Sequence, residues 1–369
     1  MNGSKYTISL VVGIAFSAAL VYLSFRNVPL SDIIDYAGNI TYIWILPSVC
    51  VIIASFVLRV FRWRLILSES RKRGQKKTTF VDAYHPLMTG FMLNCILPGR
   101  LGEIVRPSVL YLKSGVPFST GIATLAVERL FDLLCLILLF AVILKTVPID
   151  PSMKAGFGRY SLDKETLVFL SNVTIKIMII LFFGLLALCF DKTRRFMEKN
   201  AIKLFSFILS GNSELKLRVK SVVCSSIRNM FYNLESGLRI MKSPASLFAC
   251  IFLSALIWVA SAFGYYLVSL GFPGIDLDFP KITAVMVIIC FFIALPSVPG
   301  YWGVWEAGSI FALSIFGVKN ADAAIGFTII NHVIQILPIV FIGIISVFIL
   351  GVDLMKTALG GVKKIDPET

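Results

Sequence analysis

Two short stretches of the sequence combine a Pro-Gly break with charged residues in otherwise apolar surroundings. The first, P-G-R-L-G at 98–102, is followed by Glu103 and Arg106, and the second, P-G-Y-W-G at 299–303, is followed by Glu306. A helix that begins at such a break directs free N–H groups and the positive end of its dipole toward the break. With guanidinium groups nearby, this chemistry favours an anion such as a phosphate-bearing lipid headgroup.

The residues around the two breaks fall into two groups. We predict that the first group binds the headgroup: Gly99, Arg100, Glu103, Arg106, Arg129 and Gly300. The second group would form a gate and a polar stripe beside it: Trp302, Trp305, Asn331, His332 and Gln335. For the stripe, the alternative is ordinary hydrogen bonding between helices.

Charged side chains also lie inside apolar segments, where a charge at the bilayer centre costs about 2.5–3.5 kcal/mol or more unless it is paired or hydrated. We therefore predict a buried charge network of Glu103, Arg106, Glu128, Arg129 and Asp132, with Glu306 added at the second break. Glu103 and Arg106 are three residues apart, as are Arg129 and Asp132, which permits local pairs on one helix. A purely structural network that locks helices together is the alternative.

The sequence shows no pattern typical of catalytic or metal chemistry. Its seven cysteines are scattered singly, without CxxC or metal-ligand spacing, and it has only two histidines. It contains no H-E-x-x-H, no G-x-S-x-G and no G-x-x-x-x-G-K-[ST] nucleotide loop. We therefore predict no catalytic residues, no metal, no cofactor and no enzyme activity. Any transport would be passive, ion-coupled or driven by a partner.

The composition indicates which elements must position these residues. Hydrophobic residues make up 57% of the 369 positions and charged residues only 15%, whereas about a quarter of an ordinary soluble domain is charged. Apolar runs of about 18–25 residues have the length that a bilayer requires of a helix. The expected fold is an all-α polytopic membrane protein with about six full transmembrane helices: 7–25, 42–60, 118–144, 167–190, 246–270 and 323–350.

Loop charge predicts the orientation of these spans. Residues 59–79 and 191–243 are strongly basic, so both loops should face the cytoplasm and both termini should be cytoplasmic, in a multi-pass protein of the inner membrane. The 191–243 loop also has amphipathic periodicity, typical of a helix that lies on the inner leaflet or packs on the bundle. We attribute the net charge of +14 to these loops and to anionic headgroups, and we predict no nucleic-acid partner.

Two shorter apolar segments, 80–97 and 282–296, run into the Pro-Gly breaks. With the predicted orientation they enter from opposite faces of the membrane, which is the signature of an inverted repeat with broken, re-entrant helices. The repeat halves would be about 42–145 and 246–350 within a single membrane domain, 1–369. Two ordinary interhelical turns are the alternative interpretation.

Four motifs carry a resemblance to a known family: R-W at 62–63, N-x-x-L-P-G-R-L-G-E-x-x-R at 94–106, E-R-x-x-D at 128–132, and P-x-x-P-G-x-x-G-x-x-E at 296–306. Together they resemble the flippase-like transmembrane region of lysylphosphatidylglycerol synthases, over about 8–350. The resemblance implies movement of a lipid or a lipid-linked headgroup between leaflets. It does not imply aminoacylation, because the soluble transferase domain has no counterpart here. The sequence departs from the family pattern near His332, where an arginine would be expected.

The function we predict is therefore that of a lipid flippase or scramblase for an anionic phospholipid or lipid-linked phosphate. The alternatives are a membrane-embedded enzyme that acts on lipid phosphates or glycolipids, and a membrane scaffold for a glycosyltransferase. The expected partners are membrane lipids, with a second copy of the chain or a lipid-modifying enzyme as further candidates.

Overall fold

The computed structural model describes residues 38–71, 77–97, 100–147, 155–157, 160–162, 190–208, 238–294 and 299–351, together with isolated positions between 176 and 231. Its helices are α1 (Ile45–Ser70), α2 (Phe80–Ile96), α3 (Gly102–Ser114), α4 (Phe118–Thr146), α5 (Asp191–Ile208), α6 (Pro244–Leu270), α7 (Phe279–Ile293), α8 (Val304–Ile315) and α9 (Ala321–Leu350). Short 3-10 turns occupy Tyr42–Trp44, Leu238–Lys242 and Pro299–Tyr301. One small antiparallel hairpin pairs β1 (Ala155–Phe157) with β2 (Tyr160–Leu162).

Three of these helices, in the part of the chain that is described, are long and apolar enough to cross a bilayer. They are α1 with its preceding turn, α6 and α9, with mean hydropathies of 2.3, 2.2 and 2.8. Their outer faces expose large apolar side chains such as Phe248 and Phe348, which are 72% and 81% exposed. Such surfaces suit lipid rather than water, and the protein is an α-helical membrane protein.

The predicted spans correspond only in part to these helices. The predicted span 42–60 continues as helix to Ser70, so residues 59–70 are helical and not loop, and that boundary was wrong. The predicted span 118–144 forms α4, which carries four charged residues: Glu128, Arg129, Asp132 and Lys145. The span 7–25 and most of 167–190 lie outside the described residues.

The basic region 191–243 is described only in pieces. Its first part is α5, and its last part is the turn Leu238–Lys242, where Leu238 and Ile240 are buried against Ile66 of α1 and Cys250 of α6. The amphipathic stretch between them lies almost wholly outside the described residues.

Helices α1 and α6 form the central pair of the molecule and run antiparallel. Ser48 Oγ donates a hydrogen bond to the Gly264 carbonyl (2.9 Å), and near the other end Ser246 Oγ donates to Glu69 Oε1 (2.6 Å). Because residue numbers rise along one helix as they fall along the other, the two remain in contact over most of their length. Small side chains and glycine permit this close approach of two backbones.

The four short helices form two hairpins around this pair. Helix α2 begins with a capping box, in which the Thr79 hydroxyl accepts from the Asp82 amide and the Asp82 carboxylate accepts from the Thr79 amide. Helix α7 begins with Asp278 as its cap. Helix α2 packs on α3 and α9, while α7 packs on α8 and α4. The two breaks therefore lie beside each other, at the contact between the hairpins.

Candidate functional site

Arg62 lies at the centre of a buried ion-pair network. Its guanidinium donates from Nη1 to Asp132 Oδ1 (2.7 Å) and to Ser254 Oγ (2.9 Å), and its Nη2 lies 3.6 Å from Glu128 Oε1. Only 1% of Arg62 is exposed. A charge buried this completely requires opposite charges and hydrogen bonds in its surroundings, and helices α4 and α6 supply them.

Arg106 of α3 joins the network on its other side. Its Nη2 lies 2.6 Å from Glu128 Oε2, and its guanidinium stacks 3.6 Å from the ring centroid of Trp63. The Trp63 indole N–H in turn donates to Thr124 Oγ1 (3.0 Å). The cation–π contact and the ion pair hold α3 against α1 and α4.

Arg129 forms the open end of the network. It lies 3.5 Å from Glu103 and 3.4 Å from Asp132, and the side chains of Arg129 and Glu103 are 41% and 37% exposed. The predicted local pair of Arg129 with Asp132 is therefore present. The local pair that the spacing of Glu103 and Arg106 permits is not among the ion pairs of the described residues, because each side chain turns to a partner on α4.

The structure brings together the five residues expected in the first network, but Arg62 links them. The charge pattern predicts that Arg59 and Arg62 belong to the basic loop 59–79, whereas both lie within α1. A usable signal existed, since Arg59 and Arg62 are three residues apart and continue the helical spacing of the apolar run before them. Both arginines belong to the site.

A cavity of about 270 Å³ lies beside the exposed end of this network, and all eight helices of the two predicted repeats contribute to its wall. Its charged lining residues are Arg59, Arg100, Glu103, Arg129 and Asp132. Its aromatic and amide lining residues are Phe56, Phe91, Asn94, Trp258, Tyr265, Tyr301, Trp305 and Gln335. Three guanidinium groups thus face two carboxylates, both of which already pair with arginine.

Two of these arginines form no ion pair with a carboxylate among the described residues. The guanidinium of Arg59 lies 5.6 Å from the ring centroid of Phe56 and 5.8 Å from that of Phe91. Arg100 Nη2 donates to the carbonyl of Ile293, the last residue of α7 (2.8 Å). The cavity therefore contains positive charge in excess of its carboxylates, as an anion site requires. Arg106 does not line this cavity but a smaller space beside it, together with Asn94, Glu103 and Arg129. Its predicted role in headgroup binding stays a prediction.

The two breaks share an uncommon backbone conformation. Arg100 and Tyr301 occupy the same position of the P-G-x-x-G pattern, and both have positive φ angles, 53° and 62°. Residues other than glycine rarely adopt this left-handed conformation. Gly300 shares it, with φ 69°, while Gly99 lies outside the described residues, so its predicted contribution stays a prediction.

The second break differs from the expected anion site because a carboxylate of the chain already occupies it. The Gly303 amide, at the start of α8, donates to Glu306 Oε2 (2.6 Å). The Gly300 carbonyl oxygen contacts His332 Nε2 (2.8 Å). The N-terminus of α8 therefore has a carboxylate of the chain as its anion, and the predicted contribution of Gly300 to headgroup binding stays a prediction.

Glu306 and His332 form a second buried cluster. His332 Nδ1 lies 2.5 Å from Glu306 Oε1, and both side chains are completely buried. The imidazole lies against Trp302 and Trp305, with ring centroids 4.5 and 4.4 Å away. Within the described residues the ion pair of Glu306 is with His332, so its predicted place in the Glu128 and Asp132 network was wrong.

The remaining stripe residues lie on α9 beside this cluster. Gln335 Nε2 donates to Asn331 Oδ1 (3.3 Å), and Gln335 also lines the cavity. Among the described residues, no group of three or more histidine, cysteine or acidic side chains is arranged to hold a metal ion.

Comparison with known proteins places this architecture among membrane proteins. Residues 10–343 match the family described as the lysylphosphatidylglycerol synthase TM region. The chain is 24% identical over 366 residues to the protein named Glycosyltransferase AglD of Haloferax volcanii, covering 94% of this chain and 55% of that protein. It is 25% identical over 268 residues to a UPF0104 membrane protein of Methanocaldococcus jannaschii, covering 72% of this chain and 96% of that protein. The chain thus spans about half the length of the first relative.

Proposed function

The chain belongs to the lysylphosphatidylglycerol synthase TM region family, as its motifs predicted, and from that membership we propose that it moves an anionic lipid headgroup between the leaflets of the inner membrane. The observation that carries the proposal is the cavity in which three arginines, Arg59, Arg100 and Arg129, face two carboxylates among the described residues. The substrate is a phospholipid or a lipid-linked phosphate, and the chain acts as a transporter, not as an enzyme.

The chemistry of the cavity suits a phosphate group. Guanidinium groups bind phosphate through paired hydrogen bonds, which replace the water that the headgroup loses. Trp305 and Asn94 also line the cavity, and the Trp305 indole N–H and Asn94 Oδ1 are buried without a hydrogen-bond partner among the described residues. They would serve polar groups of the headgroup next to the phosphate.

The size of the cavity determines how much of the lipid it can hold. At about 270 Å³ it is slightly smaller than typical small-molecule sites, which range from about 300 to 1,000 Å³. The headgroup fits, whereas the acyl chains must stay in the surrounding bilayer. Lipid-facing apolar side chains on α6 and α9 would accommodate them.

An inverted repeat would give the headgroup access to both leaflets. In this repeat, α1 corresponds to α6, α2 to α7, α3 to α8 and α4 to α9. If each helix is exchanged for its counterpart, the same pairs of helices remain in contact; for example, α2 packs on α9 as α7 packs on α4. The antiparallel central pair and the matching backbone at Arg100 and Tyr301 support the same pseudo-two-fold axis. We propose six spans with two re-entrant hairpins and cytoplasmic termini, in which rocking of the halves opens the cavity alternately.

A glycosyltransferase partner is a second candidate component of this function. One relative is named as a glycosyltransferase and is nearly twice as long as the region that matches this chain. We propose that an enzyme of that class supplies or consumes the lipid-linked substrate. The transmembrane chain would then serve as both transporter and scaffold.

The test is lipid transfer in proteoliposomes that contain short-chain fluorescent lipids with anionic or zwitterionic headgroups. Because a hydrogen bond to a charged group contributes about 1.5–3 kcal/mol, the double variant Arg59→Gln/Arg100→Gln should slow anionic-lipid transfer about tenfold or more. Arg64→Gln, on the same helix but outside the cavity, is the matched control. Equal transfer of both lipid classes by the wild type, unaffected by the double variant, contradicts the proposal.

A further inference from the structure

The imidazole of His332 contacts a hydrogen-bond acceptor at each ring nitrogen. Nδ1 lies 2.5 Å from the carboxylate of Glu306, and Nε2 lies 2.8 Å from the carbonyl oxygen of Gly300. The other oxygen of Glu306 accepts from the Gly303 amide. A carbonyl oxygen can only accept, so Nε2 must carry a proton to make its contact.

Counting protons then restricts the state of the pair. With Nε2 protonated, Nδ1 can bond to Glu306 only if a second proton lies between them, either on the imidazole or on the carboxyl group. The pair as a unit is then neutral in both cases. Loss of that proton leaves a nitrogen lone pair facing a carboxylate, and the pair carries one negative charge in a fully buried position.

We propose that Glu306 and His332 form a proton-binding site that couples lipid movement to proton movement, an inference that rests on the proposed transport function. Histidine is the side chain that ordinarily exchanges a proton near neutral pH. The released proton passes to water, so the step requires no co-reactant. One exposed side chain beside the pair is that of Trp302, which is 41% exposed and has its ring centroid 4.5 Å from that of the imidazole.

The Glu306–His332 pair can control the cavity because its hydrogen bonds connect three elements of the fold. His332 belongs to α9, Glu306 to α8, and their contacts end on the turn Pro299–Tyr301. That turn places Tyr301 in the cavity wall and packs against the end of α2, where a side chain on Gly300 would meet the Cys95 carbonyl at 3.3 Å. Loss of the proton removes the hydrogen bond between His332 Nδ1 and Glu306, and the second break is then held less firmly.

The other titratable groups around the pair come from every packed element. Tyr265 of α6 stacks on Trp305 at a centroid distance of 6.0 Å, and Cys290 of α7 lines the same cavity. Cys95 of α2, Arg100 and Tyr301 lie at the two breaks. The charged residues that line the cavity, among the described residues, are Arg59, Arg100, Arg129, Glu103 and Asp132. The guanidinium of Arg100 is directed to the end of α7.

The direct test is the nitrogen-15 spectrum of histidine-labelled protein in nanodiscs, recorded across the pH range in which it stays folded, after removal of any affinity tag. The chain has two histidines, His85 and His332, and the variants His85→Gln and His332→Gln assign their signals. We expect protons on both sides of the His332–Glu306 contact at acidic pH and loss of one at higher pH. Absence of change across the range, or an unprotonated Nε2 at acidic pH, overturns the proposal.

The coupling test uses Glu306→Gln, which can keep all three hydrogen bonds without a titratable proton. The wild-type transfer rate should change with pH by up to about tenfold per unit, the limit for one proton, and the variant should lose that dependence. Asp276→Asn, at an exposed carboxylate, is the control and should behave as wild type. Unchanged pH dependence in Glu306→Gln overturns the coupling. If lipid transfer is absent altogether while His332 still titrates, the transport function fails and the proton site stands.

Discussion

At the scale of single residues, the buried charges depend on one arginine that the sequence patterns assigned to a loop. Arg62 bridges Asp132 and Glu128, while Arg106 and Arg129 extend the chain of ion pairs on either side. Burial removes these charged groups from water. Loss of an arginine would leave a buried carboxylate unpaired, and this cost is larger than the net stability that the intact ion pair contributes.

Replacement of Arg62 should therefore be severe. Arg62→Ala leaves Asp132 without its closest partner, and removal of one member of a buried pair costs about 3–5 kcal/mol. Arg64→Ala, two residues further on α1 and only partly buried, should cost less than about 1 kcal/mol. Unfolding in detergent by a graded denaturant measures both. Equal stability of the two variants would show that water reaches Asp132.

The residue types could be predicted, but their partners could not. Charged residues inside apolar runs identify Glu128, Arg129 and Asp132 from the sequence alone, because lipid makes such positions costly. Helical spacing then suggests local pairs. The actual pairs of Arg106 and Glu103 with α4 depend on how two helices cross, and the distance between helices is not encoded in spacing along one of them.

At the scale of the elements, the equivalent glycines of the two breaks are required for different reasons. A side chain at Gly102 would overlap the Gly90 carbonyl and approach Asn94 of α2 within 2.6 Å. Gly303 instead has a positive φ of 86°, which a side chain would strain. One glycine thus allows α2 and α3 to touch, and the other allows the chain to turn into α8.

Enlarging Gly102 should open the first hairpin and displace Glu103. Because overpacking of a tight interface costs about 1–3 kcal/mol or more, Gly102→Ala should lower stability and transport together. Gly184→Ala is the control, since no atom of the described residues lies within 4 Å of an added side chain there. Thermal unfolding monitored by circular dichroism compares them. An unchanged midpoint for Gly102→Ala would mean that the two helices are not in contact at this point.

The existence of the short helices could be predicted because Pro-Gly pairs interrupt apolar runs. Helices α2, α3, α7 and α8 occur where the sequence placed short segments. The end of α1 could not be placed from hydropathy, since three arginines after residue 58 mimic the start of a cytoplasmic loop. The burial of Arg62 depends on acids from α4, and the hydropathy of α1 carries no information about them.

At the scale of the whole molecule, the repeat predicts a membrane topology. The α3–α4 connection near Gly115 and the α8–α9 connection near Asn320 should face opposite sides of the membrane, because re-entrant hairpins return to the side they entered. Single cysteines at Val116 and Lys319, in a background without the native cysteines, can be probed with an impermeant thiol reagent. We expect labelling at Val116 only from the cytoplasmic side and at Lys319 only from the outside. Labelling of both cysteines from the same side would contradict the proposed inverted repeat.

The central claim is that an anionic headgroup occupies the cavity among Arg59, Arg100 and Arg129. The most direct measurement introduces a photo-crosslinking phenylalanine analogue at Phe91, in the cavity wall, and identifies the attached lipid by mass spectrometry. The same analogue at Phe348, which is 81% exposed, reports the bulk lipid. We predict adducts at Phe91 enriched in anionic lipid over the bulk, with the enrichment lost in Arg59→Gln/Arg100→Gln. Adducts at Phe91 that match the composition at Phe348 would contradict the account.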